Sequence, residues 1–189
     1  MSTISQVSVC NSALSQLGAN QINSLTEGTI EANLCLQFFD IARTTVLYMH
    51  PWNFAITRIE LAPDVTKPVY EFEYQFTLPA DCLRVLQVYT DLDYRIEGRR
   101  ILTNSKTCLL KYIRDVADVS TWSMGFVNTM IARMRVDLCY PLTKSPAEQA
   151  AAINNMERAM MQSKYIDASE DISDNFGQGD NSLITARGY

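Results

Sequence analysis

The residues best suited to chemistry gather in one stretch of the sequence, MHPWNFA at residues 49–55. This stretch contains the only histidine of the chain, His50, and one of its two tryptophans, Trp52. A histidine can act as a general base when a nucleophile or a carboxylate lies within hydrogen-bond reach. The neighbouring residues supply neither group. We therefore interpret His50, Pro51, Trp52 and Phe54 as a structural junction between a helix and a sheet.

Other groups that could carry chemistry are scattered. A hydrolase that uses Cys35 or a serine together with His50 is an alternative, and it would need these groups to meet in the fold. The cysteines form no C-x-x-C pair, so we predict reduced, buried thiols and no zinc site. These five residues are Cys10, Cys35, Cys82, Cys108 and Cys139. The prediction is a protein that is not an enzyme, with no catalytic, cofactor-binding or metal-binding residues and no cofactor.

The charged residues indicate surfaces more than sites. Asp91 and Asp93 could do acid–base work or hold a metal, but their position is typical of an acidic loop between strands. Arg95, Arg99 and Arg100 surround a predicted hairpin, where a solvated turn, a protein interface and, last, a DNA contact are the possible roles. The net charge of −5 argues against a protein that grips nucleic acid, since such binding depends on Lys and Arg neutralising phosphates.

Helices are predicted at both ends of the chain. Their ranges are 4–17, 26–49, 120–140 and 145–168. In the second helix, apolar residues recur every three or four positions and are expected to face the core: Ile30, Leu34, Phe38, Ile41, Thr45 and Tyr48. Pro51 should end this helix, which places His50 in the last turn, where it can hydrogen-bond free carbonyls.

The later helices carry clear boundary signals. Pro141 is expected to follow the end of the third helix. The fourth should begin with Ser145 as N-cap, Pro146 at the first helical position and Glu148 three residues beyond the cap. Its methionines are expected to lie in the core.

Between the two helix pairs, the hydrophobic period changes to two residues. Residues 70–76, YEFEYQF, alternate aromatic and polar side chains and predict a half-buried antiparallel strand. Further strands are predicted at 83–89 and 108–113, with a hairpin over 94–102 that turns near Gly98. Consecutive short strands with tight turns indicate an antiparallel meander.

The pattern predicts an α+β protein, a four-helix bundle with an inserted antiparallel β-meander subdomain and an extended C-terminal tail. We expect a discontinuous helical domain over 1–54 and 116–171, a β subdomain over 55–115 and a tail over 172–189. The tail is polar apart from residues such as Leu183, Ile184 and Tyr189, so it is either a frayed terminus or a segment that orders on a partner. No apolar run approaches the roughly 18 residues of a membrane span, and no signal peptide is evident, which predicts synthesis in a cytosol.

Several stretches together resemble a known family. They are NSALSQLGANQINSLTEGTIEANLCLQFFDIARTTVLYMHPWNFA, YEFEYQFTLPADCLRVLQV, YRIEGRRILT and YPLTKSPAEQAAAINNMERAMMQSKYIDASED. The chain resembles the tail tubular protein A family, the head-to-tail adaptors (connectors) of tailed bacteriophages, from about residue 5 to 171. The most specific features are the Pro-Trp-x-Phe-Ala junction and the Leu-Pro-x-Asp-Cys turn.

The resemblance implies a virion structural protein made in the host cytoplasm. Such adaptors form a dodecameric ring under the portal protein. The ring continues the DNA channel without sequence-specific binding of the genomic DNA, and it supports the tail nozzle, a tail tubular protein B-like partner. No membrane is involved.

From this likeness, Leu183, Ile184 and Tyr189 are our candidates for portal contact, and Arg99 and Arg100 for nozzle contact. The alternative is a cytosolic helical-bundle module that binds or regulates a partner and does not enter the particle.

Overall fold

The computed structural model describes residues 4–170, which form α-helices and antiparallel β-strands. Two helices come first, α1 (Gln6–Gln16) and α2 (Ile30–Met49). Six strands follow within the described residues: β1 (Ile56–Leu61), β2 (Tyr74–Thr77), β3 (Cys82–Tyr89), β4 (Tyr94–Glu97), β5 (Arg100–Thr103) and β6 (Cys108–Arg114). Two further helices complete them, α3 (Met124–Thr143) and α4 (Pro146–Glu170). The mixed helical and antiparallel composition predicted from the sequence is confirmed.

Local signals account for several helix ends. The α1 helix begins with a reciprocal capping box, in which the Ser5 hydroxyl accepts from the Ser8 amide and the Ser8 hydroxyl accepts from the Ser5 amide. It ends at Gln16, and the φ of +67° at Gly18 permits the left-handed turn that closes the last carbonyls. The predicted start of α4 is confirmed, since the Glu148 amide donates to the Ser145 hydroxyl at 3.3 Å.

The face of α2 that packs into the core is only partly the one predicted. Its buried residues are Ala32, Cys35, Phe39, Ala42, Arg43, Val46 and Leu47. Of the predicted stripe, Ile30, Ile41 and Tyr48 are 72%, 58% and 55% exposed. The prediction was right for Leu34 and Phe38, which pack against the core, and wrong for the three exposed residues. Helix α2 carries apolar residues on two sides, and periodicity alone does not say which side is covered.

A proline lies inside the third helix. Pro141 was expected to follow the helix end, but α3 continues to Thr143, so this prediction was wrong. The helix instead ends at Lys144, which adopts a left-handed conformation with φ +56° and donates its amide to the Tyr140 carbonyl at 3.0 Å. Pro141 is therefore confined to the last turn of α3, where the missing amide costs a single intrahelical hydrogen bond.

The strands form two three-stranded sheets, with the orders β1-β6-β3 and β2-β5-β4. All pairings are antiparallel. Among the strands that the structure describes, β4 and β5 are the only two that both pair and follow each other in the chain. They are joined by a turn at Gly98, which has a φ of +58°, as predicted. The first and last strands, β1 and β6, pair along their whole length, which brings the two ends of the β region together.

The predicted strand over 70–76 is shorter than expected. Strand β2 begins at Tyr74, and Tyr70 is largely exposed, so this prediction was wrong for its first half. Glu71 interrupts the extended conformation with φ +72°, and the Phe72 amide bonds to the Tyr70 carbonyl at 2.8 Å across it. This is a γ-turn, a strained conformation that hydrophobic alternation does not reveal.

The buried residues form two clusters. The larger joins α1, α2, α3 and part of α4 with Trp52, Trp122 and Ile113. The smaller lies between the sheets, around Phe76 and Ile101. All five cysteines are buried and free, as predicted. Of the three methionines of α4, Met156 and Met160 are buried as predicted, whereas Met161 is 70% exposed, so the prediction was wrong for that residue.

Candidate functional site: the His50 junction and the exposed apolar surfaces

The junction after α2 is built around a buried indole. Trp52 is completely buried, and its Nε1 donates to the Val46 carbonyl at 2.9 Å. Its ring meets Phe126 of α3 edge to face, with 5.3 Å between the centroids, and Phe54 contacts the same Phe126 ring at 5.1 Å. Residues Asn53–Ala55 form a 3-10 turn that leads into β1. The predicted aromatic packing between helices and sheet is present.

His50 makes a contact that the local sequence did not reveal. It is the C-cap of α2, and its Nε2 lies 2.8 Å from the Asp167 Oδ2 of α4. The Asp167 Oδ1 accepts from the Asn53 amide at 3.3 Å, and the Asp167 carbonyl accepts from the Asn53 Nδ2 at 2.8 Å. The side chains of His50 and Asp167 are only 14% and 7% exposed. The end of α4 is therefore held against the junction.

The expectation that His50 caps the carbonyls of α2 was wrong. Trp52 takes the Val46 carbonyl, and Arg84 of β3 donates its Nη1 to the Tyr48 carbonyl at 2.8 Å. The Arg84 guanidinium also lies over the Tyr48 ring, 5.5 Å from the centroid. Two donors from beyond the helix thus satisfy carbonyls of its last turn, and the imidazole is free to pair with a carboxylate.

A histidine beside a carboxylate can serve in acid–base chemistry if a nucleophile lies close. Cys35 cannot fill that role, because it lies 15 positions before His50 along α2, which at 1.5 Å per residue is about 22 Å away. In residues 4–170, no serine hydroxyl hydrogen-bonds to the His50 ring. What the arrangement performs is positioning: it joins α4, α2 and β1 at one corner.

Cys35 itself belongs to a buried pair of thiols. The hydrogen bond with Cys35, followed by burial, raises the pKa of the Cys10 thiol. Burial raises the pKa of the Cys108 thiol to about 11, and that residue lies in the cluster between the sheets. The same hydrogen bond lowers the pKa of the Cys35 thiol. The thiols of Cys10 and Cys108, whose pKa values are raised, act as small apolar side chains.

The predicted nozzle-contact residues have different surroundings. Arg99 donates to three backbone carbonyls, those of Pro79 and Ala80 in the turn before β3 and that of Cys82 at the start of β3. Arg100 lies at the start of β5 and is exposed, opposite Thr77 and Glu97 on the neighbouring strands. Arg99 thus holds a turn, while Arg100 presents its charge to the solvent.

The remaining charged candidates are surface residues. Asp91 and Asp93 are exposed and precede β4, and the Asp93 carbonyl accepts from the Thr103 hydroxyl at 2.9 Å. Arg95 lies 3.9 Å from the Glu71 carboxylate, across an exposed contact. Within residues 4–170, no group of three or more acidic, cysteine or histidine side chains could hold a metal ion. None of the described helices is long and apolar enough to cross a membrane.

Within residues 4–170, the exposed large apolar side chains include three groups on different elements. The α2 outer stripe consists of Ile30, Ile41 and Tyr48. The α4 outer patch consists of Met161, Tyr165 and Ile166. The β1–β2 connection exposes Val65, Val69 and Tyr70. Sequence reasoning missed all three as surfaces, although the periodic signal of the stripe was noticed and assigned to the core.

The candidate portal-contact residues Leu183, Ile184 and Tyr189 lie outside the described residues. Among known proteins, the sequence matches no family model and no curated protein.

Proposed function

We propose that this chain is a structural subunit of a bacteriophage particle, a head-to-tail adaptor that forms a ring under the portal. In this proposal, the helices form a bundle and the strands form an inserted β-meander subdomain. The ring continues the DNA channel and gives the tail nozzle a platform. The family resemblance of the His50–Ala55 junction and of the flanking stretches supports this role.

The observation that carries the proposal is the exposure of large apolar side chains on separate parts of the molecule. The α2 outer stripe and the α4 outer patch lie on helices, and the β1–β2 connection lies on the strand side. Grouped apolar side chains on a protein surface mark places where another protein binds. A ring subunit needs such surfaces for two neighbours and for the components above and below it.

The charge of the chain fits the same role. With 16 basic and 21 acidic residues, the chain has a net charge of −5. Proteins that hold DNA do so by neutralising phosphates with Lys and Arg. A subunit around a DNA channel should let the DNA pass, and an excess of acid is compatible with that requirement.

The composition of purified virions tests the proposal against the cytosolic alternative. If the chain is an adaptor, mass spectrometry of purified particles should find it in amounts comparable to the portal protein. Electron microscopy of the protein mixed with its portal should show an added ring. Absence from the particle would refute the adaptor and favour a cytosolic binding or regulatory module.

The portal contact is tested by removing residues 174–189. We expect the shortened chain to fold and to lose the ability to join portal rings, because Leu183, Ile184 and Tyr189 would be gone. A second variant, in which these three residues are replaced by serine, keeps the length of the tail. It tests the contribution of the three side chains apart from that of the rest of the tail. Unchanged joining by both variants would refute the portal assignment.

A further inference from the structure

The sheet with the order β2-β5-β4 has two edge strands, and their outer edges are covered differently. At β2, Asp64 of the preceding connection caps the edge. Its amide donates to the Gln75 carbonyl at 2.8 Å, and its carboxylate accepts from the Thr77 amide at 3.3 Å. At β4 all four residues are exposed, and within residues 4–170 no group outside β5 hydrogen-bonds to the backbone of this strand. An uncovered strand edge is a template for pairing with another strand.

The turn between β4 and β5 determines which backbone groups of β4 point outward. Glu97 and Arg100 close a two-residue turn, so this pair exchanges hydrogen bonds, and Arg95, two residues earlier, does the same with β5. The amide and carbonyl groups of Tyr94 and Ile96 therefore point away from the sheet. The opposite edge shows the same alternation, since the capped groups of β2 also belong to alternate residues.

The apolar side chains of β4 extend the face of the sheet that covers the core between the two sheets. Tyr94 and Ile96 lie opposite Thr103 and Ile101 of β5, which are both completely buried. Residues that lie opposite each other on paired strands share one face. Tyr94 and Ile96 nevertheless remain 42% and 45% exposed, with no strand beyond them in the part of the chain that the structure describes. A further strand would cover these side chains and bind the outward backbone groups.

The charged residues of β4 make the strand complementary to a second copy of itself. Arg95 and Glu97 alternate with the apolar residues and lie on the other face of the sheet. When two copies of β4 run antiparallel with Ile96 opposite Ile96, Arg95 of each copy lies opposite Glu97 of the other. These are non-hydrogen-bonded positions, where side chains of paired strands approach most closely. The contact of Arg95 with the Glu71 carboxylate, at 3.9 Å, is exposed and weak enough to be exchanged.

The charges also exclude a neighbouring register. Centring the pairing on Arg95 would place this residue opposite its own copy, and like charges directly opposite are destabilising. Centring it on Tyr94 would leave Glu97 without a partner strand. The register centred on Ile96 pairs the whole of β4.

We propose that the β4 edges of two copies pair antiparallel about a two-fold axis at Ile96 and join their sheets into one continuous sheet. The two Ile96 residues exchange backbone hydrogen bonds, and an Arg95–Glu97 ion pair lies on each side of them. The contact is isologous and closes on two copies. Copies in a ring with one rotation axis all face the same way, so this contact differs from those of the proposed ring and does not rest on the proposed function.

Disulfide cross-linking of the full chain tests the register. The native cysteines are buried, so Ile96→Cys adds an exposed thiol. Opposite residues of a hydrogen-bonded pair have Cα atoms about 5.5 Å apart, which suits a disulfide. With diamide as the oxidant, Ile96→Cys should form a linked dimer at least about tenfold faster than Leu109→Cys, because pairing holds its two thiols together. Leu109 is the matched control, since it is 47% exposed on the other sheet. Equal rates would overturn the proposal.

Sedimentation velocity over a wide concentration range tests the charges. The unchanged protein should form dimers as its concentration rises. Arg95→Glu and Glu97→Arg should each raise the dissociation constant of the dimer by at least about tenfold, because each places like charges opposite each other twice. The variant with both substitutions should return to within about threefold of the unchanged protein, because it restores both ion pairs with their signs exchanged. Circular dichroism verifies that all variants fold.

The outcomes separate this contact from the proposed ring. If neither charge reversal weakens association, or if the double variant does not recover it, the copies associate elsewhere and the β4 pairing is overturned. A protein that stays monomeric at every concentration would also overturn it. If such a monomer still joined portal rings, the adaptor function would stand while the β4 contact fell.

Discussion

The contact between His50 and Asp167 should contribute measurably to stability. Replacing His50 by alanine leaves the Asp167 Oδ2 without its partner at 2.8 Å, in a site where the carboxylate side chain is 7% exposed. A hydrogen bond to a charged group contributes about 1.5–3 kcal/mol, more than the ~1 kcal/mol of an ordinary helix cap. We therefore expect His50→Ala to lower the free energy of unfolding by about 2–3 kcal/mol. For a chain of this size, that lowers Tm by about 4–12 °C.

Asp167→Ala should cost a similar amount, because it removes the acceptor of both His50 and the Asn53 amide. The double variant should lower the free energy of unfolding by clearly less than the sum of the two single effects, with a coupling energy of at least about 1 kcal/mol. This double-mutant cycle is needed because His50→Ala also removes the edge-on contact between the imidazole and the Trp52 ring, whose centroids are 4.8 Å apart.

Urea unfolding followed by tryptophan fluorescence measures these differences, since both Trp52 and Trp122 are buried and report on the helical core. Glu157→Ala, an exposed acid on the same helix, is the control and should change stability by less than about 0.5 kcal/mol. If the costs of His50→Ala and Asp167→Ala simply add, the two side chains do not interact in solution and the account of the junction fails.

Three further predictions concern other parts of the molecule. Arg99→Ala should lower the free energy of unfolding by about 1 kcal/mol in urea titrations, because three backbone carbonyls lose a donor. Arg100→Ala should be nearly neutral, and equal effects of the two substitutions would contradict the different roles of these residues. Ser145→Ala should cost about 1 kcal/mol through loss of the α4 cap and Ser145→Gly less, measured in the same way. Burial raises the pKa of Cys108 from 9.0 to about 11, so the folded state retains a proton that the unfolded state releases; the free energy of unfolding should fall between pH 9 and 11, and less steeply in Cys108→Ala.

Local patterns predicted those features that depend on neighbouring residues. The start of α4 follows from Ser145 and Pro146, whose side chains act within one turn of helix. The hairpin at Gly98 follows from a residue that accepts positive φ between two alternating segments. In both cases the determining interactions span a few residues, so the sequence contains nearly all the relevant information.

Features that depend on distant residues were not predictable in this way. Asp167 lies 117 positions after His50, and nothing near either residue indicates the other. The face of α2 that is covered depends on where α1 and α3 pack. Because the helix has apolar residues on both sides, either face could pack against the core. Glu71 is a more local example. The alternation of aromatic and polar residues predicts an extended strand through this position, and the γ-turn at Glu71 interrupts it.

The chain passes from helix to strand after α2 and from strand back to helix after β6. The contacts at these two passages help to explain why rare residues gather at the junction. On entry, after α2, the His50–Asp167 contact joins the end of α4 to the start of β1. On exit, after β6, Asp115 is held by Arg43 of α2 through contacts of 3.1 and 3.3 Å. Each passage thus combines a charged contact with a neighbouring indole, since Trp122 donates to the Val116 carbonyl just as Trp52 donates to that of Val46. Both connections are thus tied to α2, so a rotation of the strands against the helices would have to break at least one of these contacts.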